Sequence, residues 1–404
     1  MMVPKKPAVF RQKRRTERAM CRKSDASGNP VFPRTNSDRR FFSVRMGKTR
    51  NRKIIAAAAL ILSAGTMSCE KRQREPESRE ALGTVCSVNL YESGTESKYG
   101  KIFARLDEID ALFNLSSPAS DISRVNAARG APVEVAPDFI KVLSEALEIA
   151  RVTEGAFNPA LGSVTELWRN AKIHTDRIPS KTEIRNALAH ADFRKIRLDE
   201  QAGTVCMGDA EAKLDLNAIA KGFAADSIAE ILAQGNVKGA TVNLGGHIYV
   251  FGTKKDRSPW KLGIKNPNAP EGIPAVSISG LQDTAVVTSG IYDGFFTNGS
   301  GDKNAGGVFF HHIIDPETGF PADNGILSMT VVCRNAAAAD ALGTAFFVMG
   351  KEKSFAMMGE GAFDPVAGGR PLAVSITNDA RISASRGLEG YIGVVLNDYT
   401  ISFR

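Results

Sequence analysis

Lys213-Leu-Asp-Leu-Asn-Ala-Ile-Ala-Lys221-Gly-Phe-Ala-Ala-Asp-Ser-Ile-Ala-Glu-Ile-Leu-Ala-Gln-Gly235-Asn-Val-Lys-Gly-Ala240-Thr-Val-Asn-Leu-Gly-Gly246-His-Ile-Tyr-Val-Phe-Gly252 changes period twice. Ala212–Leu216 reads as a short strand, a helix runs from about Ile219 to Ala233, and Ala240–Gly252 reads as strand, Gly-Gly break, strand. Upstream, Thr84–Tyr91 is strand-like, while Tyr99, Ile102, Phe103, Leu106, Ile109 and Phe113 fall at helical spacing. Phe139, Ile140, Leu143, Leu147 and Ala150 mark a second helix opened by Pro137-Asp138. Ser180-x-x-Glu183 is a capping box for a third, reaching about Ala191. Short strands follow near Lys195–Leu198 and Thr204–Met207. Downstream, strands at Lys261–Lys265, Ala275–Ser279, Ala285–Thr288, Phe309–Ile314 and Ser328–Cys333 lead to a helix over Ala336–Met349. Leu372–Ser383 and Ile392–Phe403 close the chain as strand. Helices and strands do not alternate regularly, which predicts α+β, mixed sheets with flanking helices, rather than a doubly wound sheet.

The 404 residues are 24% charged and 43% hydrophobic, a soluble globular composition that excludes collagen-like and polytopic membrane chains. The net charge of +8 is unevenly spread: residues 1–45 hold 13 Lys/Arg against 3 Asp/Glu, and residues 46–68 hold 4 against none. Residues 69–404 are therefore acidic, and the basic balance is no sign of a nucleic-acid partner.

Lys48, Arg50, Arg52 and Lys53 precede an apolar run of 12 residues, Ile54–Gly65, well short of the ~20 that span a bilayer. A basic start, a short apolar run and small residues make a secretory signal peptide, and Cys69 after Thr66-Met67-Ser68 suggests a bacterial lipoprotein signal with lipid on Cys69. The alternative is ordinary cleavage near Ala64-Gly65. Met46 begins such a signal unaided, so residues 1–45 read as an over-extended start or a disordered basic arm. Residues 69–81 read as a linker to the domain. Cys86, Cys206 and Cys333 are too widely spaced for a disulfide framework or a zinc site, and read as small residues in strands.

Three segments carry candidate chemistry. Asp340 and Thr344, four apart on a helix, present a carboxylate and a hydroxyl on one face, two oxygens suited to Mg²⁺; the plainer reading is a solvated face. In Lys213–Gly222 a strand end meets a helix whose N-cap is read as Asn217. Lys221 stands by the free N–H groups as in an anion site, and Asp215 is placed to accept hydrogen bonds from a nucleotide; a plain capped helix is the alternative. In His311-His312-Ile-Ile-Asp315-Pro-Glu-Thr-Gly319, His312 is either a general acid/base or a packed strand residue before an ordinary turn. Asn243-Leu-Gly245-Gly246-His and Thr288-Ser289-Gly290-x-Tyr292 are glycine turns where backbone can approach a ligand.

In order and spacing these segments, with Gly83-Thr84, Ile122-Ser-Arg-Val-Asn126 and Gly155-Ala-Phe157-Asn-Pro159, resemble the FAD:protein FMN transferase (ApbE) family over roughly residues 82–395. His312-Ile-Ile-Asp315-Pro-Glu-Thr-Gly319 and Asp340-Ala-Leu-Gly-Thr344-Ala are specific in combination. The resemblance implies one interwoven catalytic domain over 82–404, anchored in a bacterial cell envelope at the inner membrane and facing the periplasm. It implies Mg²⁺-dependent splitting of FAD, with FMN passed to a Thr or Ser hydroxyl of an acceptor protein and AMP released. Metal would be held by Asp340, Thr344 and carbonyls of Ala218 and Gly343. FAD would contact Leu82, Ala156, Phe157, Asn158, Asp215, Lys221 and backbone near Ile314, with His312 as the base on the acceptor hydroxyl. Acceptors in the family include flavinylated subunits of membrane redox pumps. Leu82 stands where Met is common, Asn158 where Asp is, and Ile291 where a polar residue is expected. A periplasmic FAD pyrophosphatase, with water as nucleophile, and a flavin-binding lipoprotein without chemistry are the other readings.

Overall fold

The computed structural model describes residues 76–404 apart from 92–95, 174–177, 269–272, 292–295, 298–308, 395 and 397. The arm, the signal and Cys69 lie outside the described residues, as does Tyr292.

Nine strands lie side by side in the order in which the chain makes them: β1 (Glu77–Ala81), β2 (Thr84–Leu90), β3 (Gly239–Leu244), β4 (His247–Gly252), β5 (Thr284–Gly290), β6 (Ile326–Cys333), β7 (Leu372–Thr377), β8 (Arg381–Ala384) and β9 (Thr400–Phe403). Neighbours are antiparallel except β8 and β9. Among helices are α1 (Glu96–Phe113), α2 (Asp121–Ala127), α3 (Pro137–Val152), α4 (Gly162–Ile173), α5 (Lys181–Leu188), α6 (Asn217–Gln234) and α7 (Ala336–Met349).

The central strands are buried on both faces, and their period of two sorts the side chains. Ala285, Val287, Met329, Val331 and Ala373 join the core under α1, α3, α6 and α7. Val286, Val332, Val374 and Ile376 join a second core against the sheet of Trp260–Lys265, Pro274–Leu281 and Ile392–Val394. A third cluster, Leu161, Val164, Trp168, Ile184 and Ile314, holds α4 and α5 to the His311–Gly319 segment. The architecture is mixed α+β.

The structure differs from expectation where side chains compete with ladders. Residues 77–81, read as linker, form edge strand β1, and its two-residue turn to β2 carries positive φ at Leu82 (52°) and Gly83 (68°), the primed-turn geometry of tight hairpins. Ala212–Leu216 makes only a bridge, Lys213 to Leu161, because the Asn126 side chain takes both the N–H and the carbonyl of Leu214. Phe309–Ile314 shortens to Phe309–Phe310 plus a bridge from Ile314 to Pro321, since His311 uses its ring on the Ala322 carbonyl and the Ile313 N–H. Leu372–Ser383 is two strands, turned at Ala380 with φ 58°. The capping box of Ser180 and Glu183 is present, though its helix stops at Leu188. Cys86 and Cys333 are buried strand thiols; Cys206 is half-buried.

Candidate active site

Helices α6 and α7 pack closely because Gly222 has no side chain: a Cβ there would lie 2.1 Å from the Ala336 carbonyl oxygen. The contact lets Asp340, 2% exposed on α7, accept a hydrogen bond at Oδ2 from the Gly222 N–H at 3.0 Å. In a regular helix that N–H serves the Ala218 carbonyl, and Ala218 itself leaves helical geometry (φ −88°, ψ 17°). Lys221 Nζ lies 4.0 Å from Asp340 Oδ2, and His247 Nδ1 lies 3.3 Å from Oδ1. Burial opposes a charge on Asp340, but His247, Lys221 and the Gly222 N–H together hold its carboxyl below the usual carboxylate range. One turn along, Thr344 Oγ1 stands 3.5 Å from Ser289 Oγ.

Asp340 and Thr344 line a cleft of about 480 Å³ together with Leu82, Ala156, Phe157, Asn158, Asp215, Ala218, Lys221, His312 and Ile314. The residues singled out for binding or catalysis thus line one cleft, and Gly343, buried in α7 between Asp340 and Thr344, lies behind its wall, where a Cβ would meet the lining Ser289 Oγ at 3.0 Å. Arg169, Lys172 and Lys221 outnumber Asp215 and Asp340 in the lining, and with three histidines they suit an anion. Leu82, Phe157, Leu161, Trp168 and Ile314 add apolar wall, the mixture that organic ligands need. A wider depression of about 930 Å³ holds Glu134, Glu145, Glu148 and Glu200 against Lys141, the wrong sign for a pyrophosphate.

Local bonding fixes these side chains. Asp215 accepts from Thr165 Oγ1 (2.7 Å), Arg169 (3.0 Å) and the Asn217 N–H (3.0 Å). The N-cap of α6 is consequently Leu216, without a side-chain cap, and not Asn217. Lys221 Nζ donates to the Asn217 carbonyl at 2.9 Å, which bends it over that helix start. Asn158 donates to the Ala191 carbonyl (2.8 Å) and accepts from the Ala160 N–H (2.9 Å), so the amide is used on both sides and an Asp could not copy it. His312 is no packed strand residue: its ring is exposed to solvent in the cleft. The protein walls first, and then the charges of His311, Lys221, Lys172 and His247, lower its basicity towards about 4. The imidazole is therefore neutral at pH 7, with a ring nitrogen able to accept a proton.

Thr165, Trp168, Arg169 and His247 were not foreseen. The first three lie on α4, whose signal was Val164, Trp168 and Ala171 at helical spacing. His247 closes a glycine turn, and only the fold brings it to Asp340. Among the described residues no three His, Cys, Asp or Glu side chains converge on one point. The oxygens of Asp340, Thr344 and Ala218 are instead the sparse, hard donor set that Mg²⁺ accepts when phosphate completes its shell.

Residues 82–364 match the model of the ApbE family. An FAD:protein FMN transferase of Treponema pallidum is 35% identical over 82% of this chain and 93% of its own length. One from Haemophilus influenzae is 30% identical over 74% of this chain and 87% of its own. The crystal structure of the ApbE protein from Thermotoga maritima superposes with a TM-score of 0.69 at 28% identity, over 78% of this chain and 98% of that one. Fold, site and relatives agree, and the chain belongs to the ApbE family.

Proposed function

We infer that this chain is an FAD:protein FMN transferase, moving the FMN half of FAD onto an acceptor protein with release of AMP. The observation that carries the reading is the convergence of buried Asp340, Lys221 and the neutral, solvent-facing His312 on one basic cleft. The acceptor's hydroxyl oxygen bonds to the FMN-side phosphorus, and the P–O bond to the bridging oxygen breaks with its electron pair leaving on AMP. The hydroxyl proton passes to His312 Nδ1 or Nε2. Lys221, Lys172 and Arg169 balance the pyrophosphate charge, while Phe157 and Trp168 wall the flavin side. Asp340, Thr344 and the Ala218 carbonyl fit a Mg²⁺ ion, which when bound neutralises developing charge on the phosphates.

The acceptor residue in this reading is a Thr or Ser, on a membrane redox subunit. Cys69 carries the lipid that keeps the domain at the inner membrane on its periplasmic side; the support is the signal-like run before it. Purified protein with FAD, Mg²⁺ and a flavinylatable acceptor domain tests the activity. An acceptor heavier by one FMN, lost with EDTA, is the expected result. AMP with free FMN and an unmodified acceptor makes the enzyme a pyrophosphatase. Intact bound FAD throughout leaves a flavin carrier.

A further inference from the structure

The Gly245-Gly246 turn delivers an imidazole that the reaction above does not use. Both glycines have positive φ (64° and 94°), and a Cβ on Gly245 would meet Thr84 Oγ1 at 2.4 Å, so the turn is pressed onto the cleft wall. His247, the first residue of β4, is held there with its side chain 12% exposed. Its Nδ1 is buried and makes no hydrogen bond, a state that folded proteins rarely leave uncompensated. The nearest charged atom is Asp340 Oδ1 at 3.3 Å. The two carboxylate oxygens are unequal: Oδ2 is engaged by the Gly222 N–H and flanked by Lys221, whereas Oδ1 faces His247. Two donors on one ion at ordinary Zn–N and Mg–O lengths stand about 3.0 to 3.4 Å apart, in octahedral and tetrahedral arrangements respectively. The observed 3.3 Å falls within that range, so the two atoms are spaced to share a cation.

We propose that His247 Nδ1 is a ligand of the cation held at Asp340 and Thr344, which makes the site a mixed nitrogen–oxygen one that holds Mn²⁺ and Co²⁺ more tightly than Mg²⁺. The inference rests on the cation reading of the cleft. Imidazole adds little for Mg²⁺, a hard ion, and much for later first-row ions, so His247 sets the metal preference while Asp340 sets whether a cation binds at all.

The test uses the purified metal-free chain and does not depend on turnover. Mn²⁺ is added and its electron spin echo spectrum recorded for ¹⁴N coupling; Co²⁺ and Mg²⁺ affinities are measured by calorimetry for the wild type, His247→Asn and His247→Gln. The expected results are a ¹⁴N coupling lost in both variants, and Co²⁺ binding weakened at least about tenfold more than Mg²⁺ binding. Melting curves without metal separate a folding defect from lost ligation. Absence of ¹⁴N coupling in the wild type overturns the proposal, as does equal weakening of Mg²⁺ and Co²⁺, which would make His247 a hydrogen-bonding support of Asp340. Binding of none of the three ions overturns the cation reading itself.

Discussion

Two carboxylates join the same pair of helices in opposite directions. Asp340 on α7 takes the Gly222 N–H of α6, and Asp226 on α6 takes the Ala336 and Ala337 N–H groups that start α7, both at 2.9 Å. Each is a carboxylate on helix amides, yet the surroundings divide them. Asp340 has Lys221 and His247 beside it and opens on the cleft, so it stays ionised despite its burial. Asp226 is half-buried with Glu145 nearby; desolvation outweighs its two hydrogen bonds and pushes its carboxyl up to about 7. The same bond type serves chemistry at one end of the contact and helix docking at the other. The neighbouring side chains, Lys221 and His247 on one side and Glu145 on the other, decide which.

Asp340→Ala is the severest way to break that division, with AMP release from FAD falling on the order of 10³-fold, measured by chromatography. His312→Ala comes next, about 10²-fold or more in transfer with FAD affinity by flavin fluorescence little changed, because a proton acceptor is removed and the binding walls are not. Gly222→Ala attacks the contact itself: its Cβ would force α6 and α7 apart, for a loss of about 1–3 kcal/mol in urea unfolding. The smallest effect concerns pH. The folded carboxyl of Asp226 near 7 lies above its ordinary 3.8, so the folded chain holds a proton that the unfolded one releases. The stability that this proton gives is full below about pH 4 and is lost as pH rises through about 7. The wild type should thus lose melting temperature relative to Asp226→Asn between pH 5 and 8; a constant difference would place Asp226 among ordinary acids.

Local patterns carried much of this. The four-residue step from Asp340 to Thr344 and the helix Ala336–Met349 were legible because apolar and small residues fill all the remaining positions there. The strands were legible from their own period of two. What escaped depends on partners distant in sequence. Leu214 loses its strand to the Asn126 amide, His311 spends its ring on backbone, and His247 gains meaning only beside Asp340. Asn158, which looks like the loss of a carboxylate, is a two-sided amide clamp between Ala191 and Ala160.

The most direct test of the central claim is turnover of FAD in ¹⁸O-labelled water with an acceptor domain present, followed by mass spectrometry of every phosphorus-bearing product. Transfer through this cleft predicts acceptor-bound FMN and AMP that are both free of ¹⁸O, since the attacking oxygen comes from the protein hydroxyl. Label in the phosphate of FMN or AMP, with no acceptor modified, would show that water is the nucleophile and contradict the account.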